Sequence, residues 1–151
     1  MSALLAPITM SPILARLEDQ LTGWKQVGGA ADLATAEKSK APATPAAYVL
    51  LASDTPSKPI GGSGGYRQRV QSKFGVVIAI RDYKVAKRGT AKADELRERI
   101  IQIRSALVGW RHPGATQGFA TQLAAPCAVL GYKNNVIWWQ ETYAVEYDIS
   151  T

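Results

Sequence analysis

The chain has 151 residues, 46% hydrophobic and 20% charged, with 18 Lys and Arg against 12 Asp and Glu for a net charge of +6. That length predicts one soluble domain over 1–151, large enough to bury about 68–70% of its unfolded surface without staples. A single Cys and a single His exclude an intrachain disulfide framework and a His-rich metal site, and no apolar run approaches the ~18 residues of a membrane-spanning helix.

Residues 1–10 read as an apolar arm, and MSALLAPITMSP lacks the basic segment of a secretory signal. A helix follows, with Ser11 as N-cap and Pro12 at the first helical position, where a missing N–H costs nothing. Leu14, Leu17 and Leu21 share one face, and Gly23 is a stop. From 28 to 45 the signal fades into Ala, Thr and Lys, with a possible short strand over 24–27 just before it. Residues 46–52 (AAYVLLA) are apolar on both strand faces, as a central strand requires, and Pro45 favours strand over helix. Residues 53–65, with Pro56, Pro59 and GGSGG, predict a flexible loop.

Residues 66–82 predict the longest strand. Tyr66, Gln68, Val70, Ser72, Phe74, Val76, Ile78 and Ile80 fall on one face; Arg67, Arg69, Gln71, Lys73, Gly75, Val77, Ala79 and Arg81 fall on the other. Only from 76 to 80 are both faces apolar. The first half is therefore expected to project beyond the core. Residues 91–108 predict a helix with Ala93, Leu96, Ile100, Ile103 and Leu107 as its apolar stripe. Asp94 and Glu95 would sit in its first turn and Arg104 near its last, complementing the helix dipole; Gly109 and Pro113 end it. Residues 122–132 and 136–149 predict a hairpin about Lys133-Asn134-Asn135, since Asn tolerates positive φ, and Pro126 marks an edge or a bulge. The core face of its second strand carries Ile137, Trp139, Tyr143, Val145, Tyr147 and Ile149. The sum is an α+β domain: a mostly antiparallel sheet, two main helices packed on it, one long projecting strand and a C-terminal hairpin.

Little in this chain reads as catalytic chemistry. The glycine cluster lacks the G-x-x-x-x-G-K-[ST] pattern that places a lysine on phosphates. Cys127 lies in the apolar LAAPCAVL and His112 in a turn, so an inert thiol and a loop histidine are favoured over a nucleophilic dyad. Glu146 and Asp148 share a strand face, where a solvated acidic end outweighs acid–base work. No catalytic, cofactor or metal residue is expected.

Charge is segregated along the chain. Residues 58–111 hold 13 Lys or Arg and four acids, a net of +9, and the rest carries −3. Arg67, Arg69 and Lys73 would line one face of the projecting strand. Three readings stay open for them: phosphate contact, a solvated edge kept soluble by charge, and a subunit interface. Trp138 and Trp139 are adjacent in a strand, so both cannot enter one core. Either a second layer covers Trp138 or it touches a partner.

Together FGVVIAIRDY, the helix ADELRERIIQIRSALVGW, the linker RHPG and NNVIWWQETYAVEY resemble the tail terminator (tail completion) proteins of long-tailed bacteriophages. The resemblance covers residues 10–150 in organisation and is most specific in 74–83, 94–113 and 136–147. It implies a non-enzymatic virion protein that forms a ring, typically a hexamer, on the end of the tail tube. That ring stops tube polymerisation and provides the head-joining surface. The implied partners are further copies of the chain, the tail tube protein and a head–tail connector or stopper, with passing contact to genomic DNA, no cofactor and no membrane. Assembly in the host cytoplasm is expected. Arg67, Arg69 and Lys73 are then candidates for the channel or an axial docking face, and Tyr66 and Trp138 for a subunit or tube interface. The alternatives are a head–tail stopper or connector and a basic nucleic-acid-binding module.

Overall fold

The computed structural model describes residues 5–61, 64–81, 89–116 and 118–150, and the backbone alone of 89–93. Residues 1–4 of the expected arm, 62–63 of the glycine loop, Asp82 and Tyr83, and the Ala93 side chain lie outside the described residues. The elements run α1 (Ser11–Gln20), β1 (Gln26–Gly28), α2 (Ala30–Lys38), β2 (Ala46–Pro56), β3 (Arg67–Arg81), α3 (Gly89–Leu107), β4 (Gln122–Lys133) and β5 (Val136–Ser150). The fold is α+β, with the five strands in the order β1-β2-β3-β5-β4.

The sheet is mixed. β1 pairs parallel with β2, and the other three pairings are antiparallel. β3 does not project from it. All fifteen of its residues pair with β5, and its first half pairs on the other side with Ser53 to Pro56 of β2. Val70, Ser72 and Phe74 are buried in that half. Strand therefore also occupies the start of the stretch expected to be loop, since Asp54 and Thr55 find ladder partners in Ser72 and Gln71.

The alternation on β3 sorts its residues between two cores. Val70, Phe74, Val76, Ile78 and Ile80 join Ile137, Tyr143, Val145 and Tyr147 of β5 beneath α1 and α3. The expected helix stripes supply Leu17 from α1, and Leu96, Ile103 and Leu107 from α3. On the opposite face Tyr48, Val77, Ala79 and Trp138 pack under Leu33 and Ala36 of α2. So three helices cover the sheet, not two. α2 went unread because only two of its nine residues are buried apolar ones, too few for a stripe. Its start is nevertheless built from local chemistry. Gly29 is the N-cap, and its N–H donates to Asp32 Oδ2 at 2.9 Å. A Cβ on Gly28 would collide with that carboxylate.

Other boundaries shift slightly. The cap of α1 is Met10, with Ser11 the first helical residue and no side-chain cap bond. α3 starts at Gly89, which puts Asp94 and Glu95 in its second turn. Gly109 follows it at φ 84°, a left-handed conformation that terminates helices and suits glycine. The hairpin turn is as expected, with Asn134 and Asn135 at φ 53° and 61°. Lys133 and Asn134 donate from it to the carbonyls of Glu37 and Ser39 at the C-terminal end of α2.

The expected arm is tied down at Ile8 and Thr9, while Leu5 is exposed. Ile8 is buried, and the Thr9 carbonyl accepts from His112 Nε2 at 2.8 Å while Gly114 N–H donates to Nδ1 at 2.8 Å. With Nδ1 accepting, the ring is neutral. Burial holds its pKa below the usual imidazole value, although the bond to Thr9 pulls the other way. The unfolded chain takes up that proton near about pH 6.5 and the folded chain only below it. The contribution is therefore complete above that value and is lost as pH falls through it. Urea midpoints are expected to drop between about pH 7.5 and about pH 5.5, and His112→Asn is expected to flatten that slope and lower the midpoint at neutral pH.

One charge enters the main core. Glu141 faces α3 and is fully buried. Arg104 of α3 bonds both its oxygens, at 2.5 and 2.9 Å. Trp139 Nε1 adds a bond at 2.9 Å and the Tyr143 hydroxyl one at 3.3 Å. Burial pushes this carboxyl up, but the bonds from Arg104 and Trp139 outweigh it and hold it below the ordinary range. Removing the arginine strands a buried charge. Arg104→Ala is expected to cost about 3 kcal/mol in urea unfolding, the low end for a broken buried pair because water reaches the outer side of the guanidinium. Replacing both partners with Met and Leu is expected to recover most of that loss.

Candidate functional site

The expected basic face lies on the half of the sheet that α2 does not cover. Arg67, Arg69 and Lys73 share one face of β3, opposite Ser150, Asp148 and Ala144 of β5. α2 covers this face only at its other end, over Val77 and Ala79. The arginines are not free cations. Asp148 accepts from Arg67 Nη2 at 3.0 Å and from Arg69 Nε and Nη2 at 2.8 and 3.2 Å. The bond from Arg69 holds the Asp148 carboxyl below its usual range and raises the guanidinium in turn. Arg69 also stacks on Phe119 at 4.3 Å. Phe119 belongs to the chain leading to β4, in which Thr116 N–H donates to the Glu146 carbonyl. So the Asp148 carboxylate is part of a paired surface rather than a bare acidic end. Lys73 is part-buried.

Tyr66 stands just before β3 and is 45% exposed, its hydroxyl donating to Gln68 Oε1. With Ile60, Gly61, Gly64, Gly65, Arg67 and Ser150 it lines a shallow hollow. Trp138 is elsewhere. It pairs with Ala79, ten residues along β3 from Arg69 and about 33 Å away by strand rise. Of the two readings open for it, a covering layer is present: α2 leaves the indole 7% exposed. The structure thus brings Tyr66, Arg67 and Arg69 together at one end and sets Trp138 apart.

Two features escaped sequence reasoning. The first is Glu141, whose strand position places it among core-facing neighbours, a signal that a buried carboxylate needs a partner. The second is the surface of β4. Pro126 correctly marks it as an edge with a shifted register, but four of its twelve residues, Leu123, Val129, Leu130 and Tyr132, are large apolar side chains 40–65% exposed. Edge strands are usually guarded by charge, and β4 has only Lys133. The two reactive-looking groups are otherwise engaged. His112 holds the N-terminal segment, and Cys127 Sγ donates to the Ala124 carbonyl at 3.2 Å, with burial raising the thiol pKa. Among the described residues no cluster of His, Cys, Asp and Glu could hold a metal.

Compared with known families, residues 3–151 match the family model described as phage tail terminator protein. No curated protein matches the chain.

Asp148 is what restrains the basic face. Asp148→Asn keeps the shape and removes the charge, so the variant is expected to elute from a heparin column at higher salt than the wild type. Equal elution would mean that Arg67 and Arg69 are already available to polyanions.

Proposed function

Because this chain belongs to the phage tail terminator family, we propose that it caps the end of the phage tail tube as a ring, expected to be hexameric. The ring stops tail polymerisation and offers the head side a joining surface. The observation that carries this reading is the family match across nearly the whole chain. The family is one of structural proteins of the phage tail, which supports a place in the virion for this chain. Its partners in this reading are further copies of itself, the tail tube protein and the head–tail connector or stopper.

The surface chemistry supports a contact role. Capping a tube needs lateral faces that close around an axis and axial faces for two different neighbours. Exposed apolar side chains on β4 suit the former. Arg67, Arg69 and Lys73 are proposed for the channel or an axial face, with Tyr66 beside them. The pairing of Arg67 and Arg69 with Asp148 favours an oriented contact over general affinity for DNA, so the nucleic-acid-binding alternative is the weaker one.

Electron microscopy of particles made without this protein tests the role. Overlong or headless tails are expected. Normal-length tails beside filled heads that leak DNA would point to a stopper instead. Changing Arg67, Arg69 and Lys73 together to Gln is expected to reduce infectious particles while circular dichroism stays unchanged. Normal titres would remove these residues from the docking surface.

A further inference from the structure

The sheet has two outer edges that no described strand covers. β4 has β5 on one side only. β1 covers Ala46, Ala47 and Tyr48 of β2, so the outer edge of β2 is open from Val49 onward. Both edges carry apolar side chains in water. On β4 these are Leu123, Val129, Leu130 and Tyr132; on and just beyond β2 they are Leu51, 47% exposed, and Ile60, 54% exposed. Apolar side chains left exposed along an open sheet edge invite contact with another chain.

We propose that the β4 flank of one subunit packs against the open β2 flank of a second copy of this chain, joining copies head to tail. This rests on the ring reading and names the surfaces that would close it. Three observations select the second copy as the occupant. The flanks lie on opposite sides of one sheet, as a repeating head-to-tail contact requires. β2 and β4 run in opposite directions, because three antiparallel steps separate them. A copy laid alongside in the same orientation therefore sets β4 beside an antiparallel β2, the alternation already present within the subunit. Finally, each of the two strands has one charge, Lys133 on β4 and Asp54 on β2. They are opposite in sign, and each is held inside its own subunit, by the Glu37 carbonyl and by Ser72 and Tyr147. Just beyond β2, before Ile60, Lys58 adds a second and positive charge to that flank. Pro126 and the register shifts of β4 interrupt its backbone ladder, so side chains rather than a continued strand pairing make the joint.

The test uses full-length chains carrying Val129→Glu or Leu51→Glu, followed by analytical ultracentrifugation. Leu130→Arg serves as a second β4 variant, and circular dichroism must match the wild type before a variant is used. The wild type is expected to sediment above one chain mass and each variant alone at one chain mass. An equimolar mixture of a β4 variant with Leu51→Glu is expected to sediment at two chain masses, because one intact β4 flank then meets one intact β2 flank. Self-association that survives Leu51→Glu would mean a β4-to-β4 or other contact and overturns the proposal. So does a mixture that stays at one chain mass, or a wild type that is monomeric at its highest soluble concentration. The tail-length assay is read separately: a chain that caps tails yet forms no mixed dimer keeps the capping role and loses this interface.

Discussion

β3 and β5 pair over fifteen consecutive residues without a shift, and most of the molecule is organised by that register. Strand side chains alternate with period two, so a slip of one residue would move every core residue of β5 to the opposite face. With the register as it is, Phe74 stacks on Tyr143 across the pair, ring centroids 5.5 Å apart. Ile78 meets Trp139 and Ile80 meets Ile137 beneath α3, and Ala79 meets Trp138 beneath α2. The same register sets Asp148 opposite Arg69, which turns a row of cations into a partly neutralised, oriented surface.

The register also forces a carboxylate into the main core. Glu141 lies opposite Val76, between Trp139 and Tyr143 on the α3 side. A lone buried carboxylate would be costly, and α3 meets that cost with Arg104. Bidentate pairing fixes rotation and height together, so this bond also defines how α3 lies on the sheet. A second tether joins the helices, as Arg16 Nε on α1 donates to the Ala106 carbonyl near the end of α3. Further along, His112 binds the N-terminal segment to the loop after α3. The helical layer is therefore attached by directional polar bonds as well as by apolar packing.

These attachments engage Arg16, Arg104, Glu141 and His112 within the fold. What is left for outside contact lies at the margins: the tip with Tyr66 and the glycines, the arginines beside Asp148, and the apolar side chains along β4 and the open part of β2. Such a distribution suits a protein that works by fitting against neighbours, consistent with its phage tail terminator family.

The α+β class was legible in the sequence, as were the two helices with apolar stripes, the strand alternation and the Asn-Asn hairpin. Each is a local signal, carried by spacings of two to four residues. Pro126 likewise announced an edge through its missing N–H. The family was legible too, through the runs FGVVIAIRDY and NNVIWWQETYAVEY. The sequence left hidden whatever depends on which segments meet. α2 has too small an apolar face to register on its own and becomes a layer only over Tyr48, Val77 and Trp138. Arg67 and Arg69 read as free cations until Asp148, 79 residues from Arg69, is brought beside them. The first half of β3 read as projecting because its mixed composition gives no sign of the strands on either side. Local periodicity comes from backbone geometry and can be read along the chain, whereas burial and charge pairing belong to the folded chain, where distant residues share a few ångströms.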